Sequence, residues 1–529
     1  MTSPSPKPRP FTTTESESTP PESNSSESTP QKTTSLESES SGSTSQKKTS
    51  LGAVLSRFRG EPILRGFSLL LILSIVQRIV GFGRSVYFCR TLDESALGLW
   101  ELGYGFLVVA SPLVVFSIPG TLGRYAPFFE QQGVLRSFLQ RIATLCVGGT
   151  FIAVMILAMT PKFWSQLLLG NVTGASQTLI VWMAIALLLT NAMNFAWEMF
   201  TALKALRATA MVQFGNSVAF LVAAILLLRR TPTGESAMVA YVLACGVTVF
   251  WAIWRTQRLW RTLPIDTGVL TTRDLLRRIG PTALWLWGSA VMLLLFNYID
   301  RLLPVWLMAD PSQGVRMAGV CGSASVVPQL LLSITTLFVA AMVPHFAEDW
   351  HQKRFRRLRR RIDLFLRWQT VFLCAAAVGM LWCVPWPLRP LFLERYPGAE
   401  AIFPWMTVSM IFLAMIQIVQ CWFLCAERLG IAVAAFGLGL ILKTGLAVVL
   451  IPHYGLDGVV TAMVIAHAVT LLLLLGFAWR YGFRPSWGTL GVMTVPAWMG
   501  SGPWFATVAC AIAGGWATYS AWRKWRMEI

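Results

Sequence analysis

The sequence predicts an all-α polytopic membrane protein, and three features of its 529 residues support that fold class. Hydrophobic residues make up 55% of the chain and charged residues 13%, about half the charged share of an average soluble protein. Apolar runs recur at close to the length of about 20 residues that an α-helix needs to cross a bilayer. These runs are continuously apolar rather than alternating, which excludes a transmembrane β-barrel.

The formal net charge of +19 comes mainly from Lys and Arg in short segments between the apolar runs. In a soluble protein this charge would suggest a nucleic-acid partner, but in a membrane protein it reflects the excess of cations in cytoplasmic loops. We therefore expect no nucleic-acid partner. Arg57, Arg59 and Arg65 precede the first apolar run, which favours a cytoplasmic N-terminus.

The first 50 residues differ in composition from the rest of the chain. Residues 1–50 are rich in Ser, Thr, Pro, Glu and Lys and nearly lack apolar residues. Such a segment buries too little surface to fold, so we predict a disordered cytoplasmic tail. No apolar core follows its first basic residues, so it does not read as a cleaved signal peptide.

Two sets of six predicted spans follow the tail. The first set lies in an N-lobe, 51–254, and the second in a C-lobe, 282–480, with a basic cytoplasmic linker at 255–281. The predicted spans are Gly66–Cys89, Leu99–Pro119, Phe138–Met159, Gln177–Ala202, Met211–Leu228, Ala237–Trp254, Thr282–Met308, Val320–His345, Leu364–Pro385, Ala401–Leu424, Ile431–Ile451 and Gly458–Trp479.

The C-terminal region, 481–529, adds one or two further spans. Pro503–Ala521 is long enough to cross, whereas Gly488–Gly500 is short and interrupted by Pro496. Basic residues at the extreme C-terminus favour a cytoplasmic end, which requires both segments to cross and gives 14 spans rather than 13.

The two six-span sets match each other when offset by 217 residues. Arg84 then falls on Arg301 and Asp93 on Asp310. Both sets begin on the same side of the membrane, so the repeat is parallel, with its axis along the membrane normal. Transporters built this way hold substrate between two halves that move against each other.

Charged residues inside the predicted spans are the main candidates for a functional site. Arg78 lies near the middle of the first span, Arg84 two turns later, and Lys443 near the middle of Ile431–Ile451. An arginine at a helix centre costs about 2.5–3.5 kcal/mol on insertion scales. Such residues either face a water-filled cavity or are paired for structural reasons, and Arg84 could also reach the headgroups. Guanidinium groups in a cavity bind phosphate bidentately.

Asp300 and Arg301 lie together in the seventh span, where they either join the cavity or neutralise each other as neighbouring charges. His467 lies mid-span and either relays protons or forms a hydrogen bond between helices. Arg124, at a helix end, is a candidate cytoplasmic gate or topology charge. Glu101 and Glu198 fall near predicted span ends, where an interfacial position explains them.

Several segments together resemble a known family. VQRIVGFGRSVYFCRTL, ALGLWELG and PGTLGRYAPFF resemble the opening of the polysaccharide-biosynthesis flippases of the MOP exporter superfamily, and NYIDRLLPVWL resembles their seventh helix. The RIVGFGR core is also similar to the first helix of lipid II flippases, in which two arginines line the central cavity. By that match, Arg78 and Arg84 take the cavity role here.

The resemblance implies a function, partners and a location. The family exports an isoprenoid-pyrophosphate-linked oligosaccharide across the bacterial inner membrane, flipping it to the outer leaflet before polymerisation. The expected partners are this anionic lipid-linked glycan, membrane lipids, and the polymerase and glycosyltransferases of the same pathway. We expect no cofactor and no metal site, because neither the cysteine nor the histidine spacing matches one.

Two other functions are weighed against export. A drug/cation antiporter of the same superfamily would need buried acids, whereas the mid-span charges here are mostly cationic. A membrane glycosyltransferase or polymerase would need carboxylates in a sizeable loop, and no loop between the predicted spans is long enough to provide them. An enzyme is therefore not expected.

Overall fold

The computed structural model describes residues 62–528, except 171–175, 269, 392 and 501, with side chains described between 72 and 518. These residues belong to one compact unit, Arg59–Ile529. The predicted tail at 1–50 lies outside the described residues. Every regular element in the described part of the chain is helical, which confirms the predicted fold class.

Eight helices build the first half of the described chain. They are α1 (Pro62–Thr91), α2 (Glu94–Val114), α3 (Leu122–Gln131), α4 (Leu135–Met159), α5 (Pro161–Leu169), α6 (Ser176–Ala202), α7 (Leu206–Leu228) and α8 (Gly234–Trp260), with a 3₁₀ turn at Ile118–Thr121.

Six long helices and two C-terminal helices build the second half. They are α9 (Thr272–Leu307), α10 (Pro311–Ser325), α11 (Gln329–His351), α12 (Phe355–Cys383), α13 (Ala399–Cys425), α14 (Leu429–Arg480), α15 (Trp487–Met499) and α16 (Pro503–Glu528). Short helical turns at Val384–Leu388, Arg389–Leu391 and Leu393–Arg395 connect α12 to α13.

Eleven helices in the described residues are long and apolar enough to cross a membrane. One of them, α14, has 52 residues and contains a sharp kink at Gly455, where φ is 54° and ψ is −122°. A positive φ favours glycine, so this residue permits the turn between the two predicted spans Ile431–Ile451 and Gly458–Trp479. The number of crossings after Arg480 stays a prediction, because α15 has only 13 residues.

The predicted eighth span, Val320–His345, was wrong as one continuous helix. The structure ends α10 at Ser325 and begins α11 at Gln329, directly after Pro328. A proline has no backbone N–H and clashes with the preceding turn, so it is tolerated at a helix start but interrupts a helix interior. The predicted apolar segment is correct, but it belongs to two helices.

The two halves pack together along α2, which lies against α9 and α10. Glycines permit the close approach of α2 and α10. A Cβ atom on Gly98 would overlap the Val315 carbonyl, and one on Gly319 would overlap the Glu94 carbonyl. Small residues at such positions let membrane helices approach closely enough for van der Waals packing to hold them together.

This close packing predicts that Gly319→Ala destabilises the protein by about 1–3 kcal/mol, because the added methyl group must displace the α2 backbone. Gly288→Ala in α9 is the matched control, since nothing lies within 4 Å of a Cβ placed there. Thermal unfolding of the purified protein in detergent measures both. Equal unfolding midpoints for the two variants would contradict close packing of α2 on α10.

Candidate functional site: a cavity beside Arg84

A cavity with many polar side chains lies among α1, α2, α6, α7 and α8, and has a volume of about 550 Å³. We call it the Arg84 cavity. Leu294 of α9 contributes to its wall. Polar side chains from these five helices, and Ser117 just before the 3₁₀ turn, line it: Gln77, Arg84, Tyr104, Ser111, Ser117, Thr190, Asn194, Glu198, Gln213, Asn216, Ser217 and Tyr241.

Arg84 is the cation of this cavity and rests on aromatic rings. The centre of its guanidinium group lies 4.2 Å from the Phe220 ring centroid, a cation–π geometry. Tyr241 packs edge-on against Phe220, with ring centroids 5.2 Å apart, and Tyr104 packs edge-on against Tyr241 at 5.7 Å. The guanidinium group of Arg84 thus lies on a cluster of three packed aromatic rings at the cavity wall.

No carboxylate oxygen lies within 4 Å of the Arg84 guanidinium among the described side chains. A cation inside a membrane protein is costly unless a counter-ion, water or a ligand compensates its charge. Arg84 therefore has the location and the charge of an anion-binding residue.

Arg78, the other predicted cation of α1, does not line this cavity. It is half-buried, and the neighbouring Gln77 lines the cavity instead. Six residues separate Arg78 from Arg84, which at about 100° per residue turns their side chains about 120° apart. The two arginines therefore lie on different faces of α1.

Lys443 lies in the second half, away from the Arg84 cavity, and is 1% exposed. Its ammonium group forms an ion pair with Asp300 of α9 and donates a hydrogen bond to the Phe296 carbonyl at 2.7 Å. The structure therefore does not bring Lys443 together with Arg84 and Arg78. It instead gives Lys443 a carboxylate partner within its own half.

Arg301 forms an ion pair with Glu101 of α2, so this contact joins the two halves. The interpretation that Asp300 and Arg301 neutralise each other was wrong. Successive residues on a helix point in different directions, so each of the two charges meets a different neighbouring helix. The side chain of Glu101 lies between α2 and α9 and is 17% exposed, and its position near a membrane interface stays a prediction.

His467 of α14 is 2% exposed, and its Nδ1 atom forms a hydrogen bond of 2.7 Å with the Ser409 hydroxyl of α13. This contact is a hydrogen bond between helices, which is one of the two roles that the sequence predicts for His467. Arg124 is exposed on the short helix α3. Neither residue lines the Arg84 cavity.

Sequence reasoning missed the polar residues that complete the cavity, above all Asn194 and Glu198 of α6. The signal that could have found them is their spacing. Thr190, Asn194 and Glu198 recur every fourth residue, which puts them on one face of an otherwise apolar helix.

The ion pairs predict a clear pattern of stability changes. Neutralising one partner, by Asp300→Asn or Lys443→Met, leaves a buried charge unpaired and is expected to cost about 3–5 kcal/mol. The double variant removes both charges and is expected to recover most of that loss. Thermal unfolding in detergent measures all three variants.

The matched control is the exposed pair between Arg389 and Glu400, 3.3 Å apart, with side chains 55% and 47% exposed. Breaking it by Glu400→Gln is expected to change the unfolding midpoint little, because exposed ion pairs contribute at most about 1 kcal/mol. If the double variant is as unstable as the single variants, the loss of stability does not come from an unpaired buried charge, and the prediction is wrong.

The sequence and the fold were compared with those of known proteins. A family model described as polysaccharide biosynthesis protein matches residues 63–350. No curated protein matches the chain in sequence.

Two solved structures illustrate the shared fold. The lipid II flippase MurJ in an inward closed conformation has a TM-score of 0.60 and 14% identity, over 84% of this chain and 98% of that one. A multidrug resistance MATE family transporter of the MOP superfamily, in an inward-facing conformation, has a TM-score of 0.60 and 13% identity. That match covers 78% of this chain and 97% of the other. The resemblance drawn from sequence is thereby confirmed.

Proposed function

Because the chain belongs to the polysaccharide biosynthesis protein family, we propose that it moves an isoprenoid-pyrophosphate-linked oligosaccharide across the membrane. The observation that carries this proposal is the unpaired Arg84 guanidinium in a polar cavity of a multi-pass membrane protein. A pyrophosphate is a fixed anion, and a guanidinium group binds phosphate oxygens through parallel hydrogen bonds without losing its own proton. The anionic headgroup of the substrate would bind in the Arg84 cavity.

The proposed transport proceeds by alternating access between the two halves. With the N-terminus in the cytoplasm of a bacterial inner membrane, as the cation distribution favours, α2 begins at the outer side. The glycine contacts between α2 and α10, and the Glu101–Arg301 ion pair, would then close the outer side of the protein. Release of the substrate to the outer leaflet requires these contacts to part.

Four further predicted residues receive roles in this proposal. Arg78, on a different face of α1, would attract the anionic headgroup before it reaches Arg84. Lys443 and Asp300, paired with each other, would fix α9 against α14 rather than contact substrate. His467, hydrogen-bonded to Ser409 of α13, would carry a coupling proton. Polymerase and glycosyltransferases of the pathway are the proposed partners.

Substituting Arg84 tests the proposal. We expect Arg84→Ala to reduce export of surface polysaccharide about 10- to 100-fold, the loss of one or two charge-assisted hydrogen bonds. Arg84→Lys is expected to retain part of the activity, since it keeps the charge but not the planar fork. Complementation of cells that lack the native gene measures export, with protein abundance checked by blot.

Arg230→Ala is the matched control, because Arg230 is an exposed arginine between α7 and α8 that does not line the cavity. Normal export by Arg84→Ala at normal abundance would refute anion binding by Arg84. A loss of export by Arg230→Ala as large as that of Arg84→Ala would show that the effect is not specific to the cavity.

A second candidate, drug/cation antiport, is favoured by one observation: the carboxylate of Glu198 lines the same cavity. The two candidates differ in which charge is essential. Export of an anionic lipid predicts that Glu198→Gln retains polysaccharide export within about threefold, because removing an acid does not weaken phosphate binding. Antiport predicts instead that Glu198→Gln abolishes efflux of a lipophilic cation such as ethidium, measured in the same cells.

A further inference from the structure

A pocket outside the Arg84 cavity lies between α11 and α12 in the second half, and has a volume of about 470 Å³. We call it the His345 pocket. It is lined by Met342 and His345 of α11 and by Arg361, Leu364, Phe365 and Trp368 of α12. The spacings of three and four residues along α12 put its four side chains on one face of that helix. No residue of this pocket lines the Arg84 cavity, so the two sites are separate.

His345 and Arg361 form the polar end of the pocket. The Nη1 atom of Arg361 donates a hydrogen bond of 2.6 Å to Asp349, whose side chain is 3% exposed. This contact orients the guanidinium group, which has five N–H donors in all, and the Arg361 side chain is 33% exposed. His345 is exposed in the same pocket, and an imidazole donates at least one hydrogen bond in either protonation state. Both groups are suited to binding a phosphate.

The polar end of the pocket adjoins a strongly basic segment. Residues 353–361, KRFRRLRRR, contain seven cations and no acid, and Arg361 is the last of them. Glu348 and Asp349 are the acids in the ten residues before this segment, so a net positive charge is left. The next charges along α12, Asp363 and Arg367, lie 3.7 Å apart and offset each other. A ligand held at this end would therefore be an anion.

Further along α12 the same face continues as exposed aromatic side chains. Trp368 is 42% exposed, and Phe372, about one turn beyond it, is 47% exposed. Phe338 of α11 is 46% exposed and packs edge-on against Phe372, with ring centroids 6.4 Å apart. Because α11 and α12 are both candidate spans, these exposed rings face the bilayer. From Arg361 to Phe372 the face measures about 16 Å, close to the depth of one hydrocarbon leaflet.

We propose that the His345 pocket binds an anionic phospholipid of the bilayer, with its phosphate at His345 and Arg361 and an acyl chain along Trp368 and Phe372. A water-soluble anion would leave the aromatic face unused, and a zwitterionic phospholipid would leave the excess positive charge uncompensated. The rule that cations collect in cytoplasmic loops explains the basic segment, but it does not require a pocket with cations at one end and aromatic rings at the other. Basic pockets between membrane helices bind anionic lipid headgroups in this way.

Native mass spectrometry of the purified full-length protein in detergent tests this proposal with three probes. Phosphatidylglycerol is the anionic lipid, phosphatidylcholine with the same acyl chains is the zwitterionic lipid, and glycerol 3-phosphate is an anionic headgroup without chains. We expect the wild type to bind phosphatidylglycerol about tenfold more tightly than phosphatidylcholine, the effect of one charge-assisted hydrogen bond. Glycerol 3-phosphate is expected to bind more weakly than phosphatidylglycerol, because it has no chain to contact the aromatic face.

Two variants alter the pocket in different ways. The double variant Arg361→Gln/Asp349→Asn removes the cation together with its buried partner, so the net charge of the protein does not change. Leu364→Trp fills the pocket and leaves every charge in place. Arg356→Gln is the control for charge, because Arg356 is an exposed arginine of the same basic segment that does not line the pocket. Ile441→Trp is the control for added bulk, since Ile441 is 71% exposed on α14.

The proposal requires both pocket variants to bind phosphatidylglycerol about fivefold or more weakly than the wild type, while the two controls and Arg84→Ala bind it normally. Normal binding by either pocket variant would overturn it. A loss with Arg356→Gln as large as with the double variant would overturn it too, because the attraction would then be a diffuse effect of charge. Glycerol 3-phosphate binding as tightly as phosphatidylglycerol would instead make the pocket a site for a soluble anion.

Discussion

The arrangement of charge in this protein follows from one constraint: an ionised side chain surrounded by hydrocarbon must be paired or solvated. The structure satisfies this requirement in two ways. Lys443 pairs with Asp300, and Arg301 pairs with Glu101. Arg84 has no such partner among the described side chains and instead faces a polar cavity, above a floor of aromatic rings. The paired charges join helices, and Arg84 is the charge to which the headgroup of the proposed substrate would bind.

The two halves satisfy this constraint differently. The second half encloses its charges, because Lys443 is almost fully buried against α9, whereas the first half opens its polar side chains to a cavity. The halves meet where glycines bring α2 and α10 together and where one ion pair crosses from α2 to α9. Buried apolar residues of both helices, such as Leu97 of α2 and Val315 of α10, belong to one continuous core across this contact.

Most of the helices could be predicted from sequence because their signal is local. A continuous apolar run can cross a membrane only as a helix, because all its backbone groups must then be hydrogen-bonded within the segment. Gln177–Ala202 was therefore predicted within one residue of α6, Ser176–Ala202.

The break before Pro328 was missed because the apolar run continues through it. The partners of Asp300 and Arg301 were missed because residues that are adjacent in sequence point to different helices, and the identity of those helices depends on tertiary packing. The cavity around Arg84 needed five helices to be placed together before Glu198 and Asn194 could be seen to share it.

The proposed function requires Arg84 to bind the anionic headgroup of a lipid that this protein would move between leaflets. The most direct measurement is the rate at which a labelled isoprenoid-pyrophosphate-linked disaccharide crosses the bilayer of vesicles that contain the purified protein. Wild-type protein should move the lipid and Arg84→Ala, incorporated in equal amount, should not. Equal rates for the two proteins, both above those of empty vesicles, would contradict the claim.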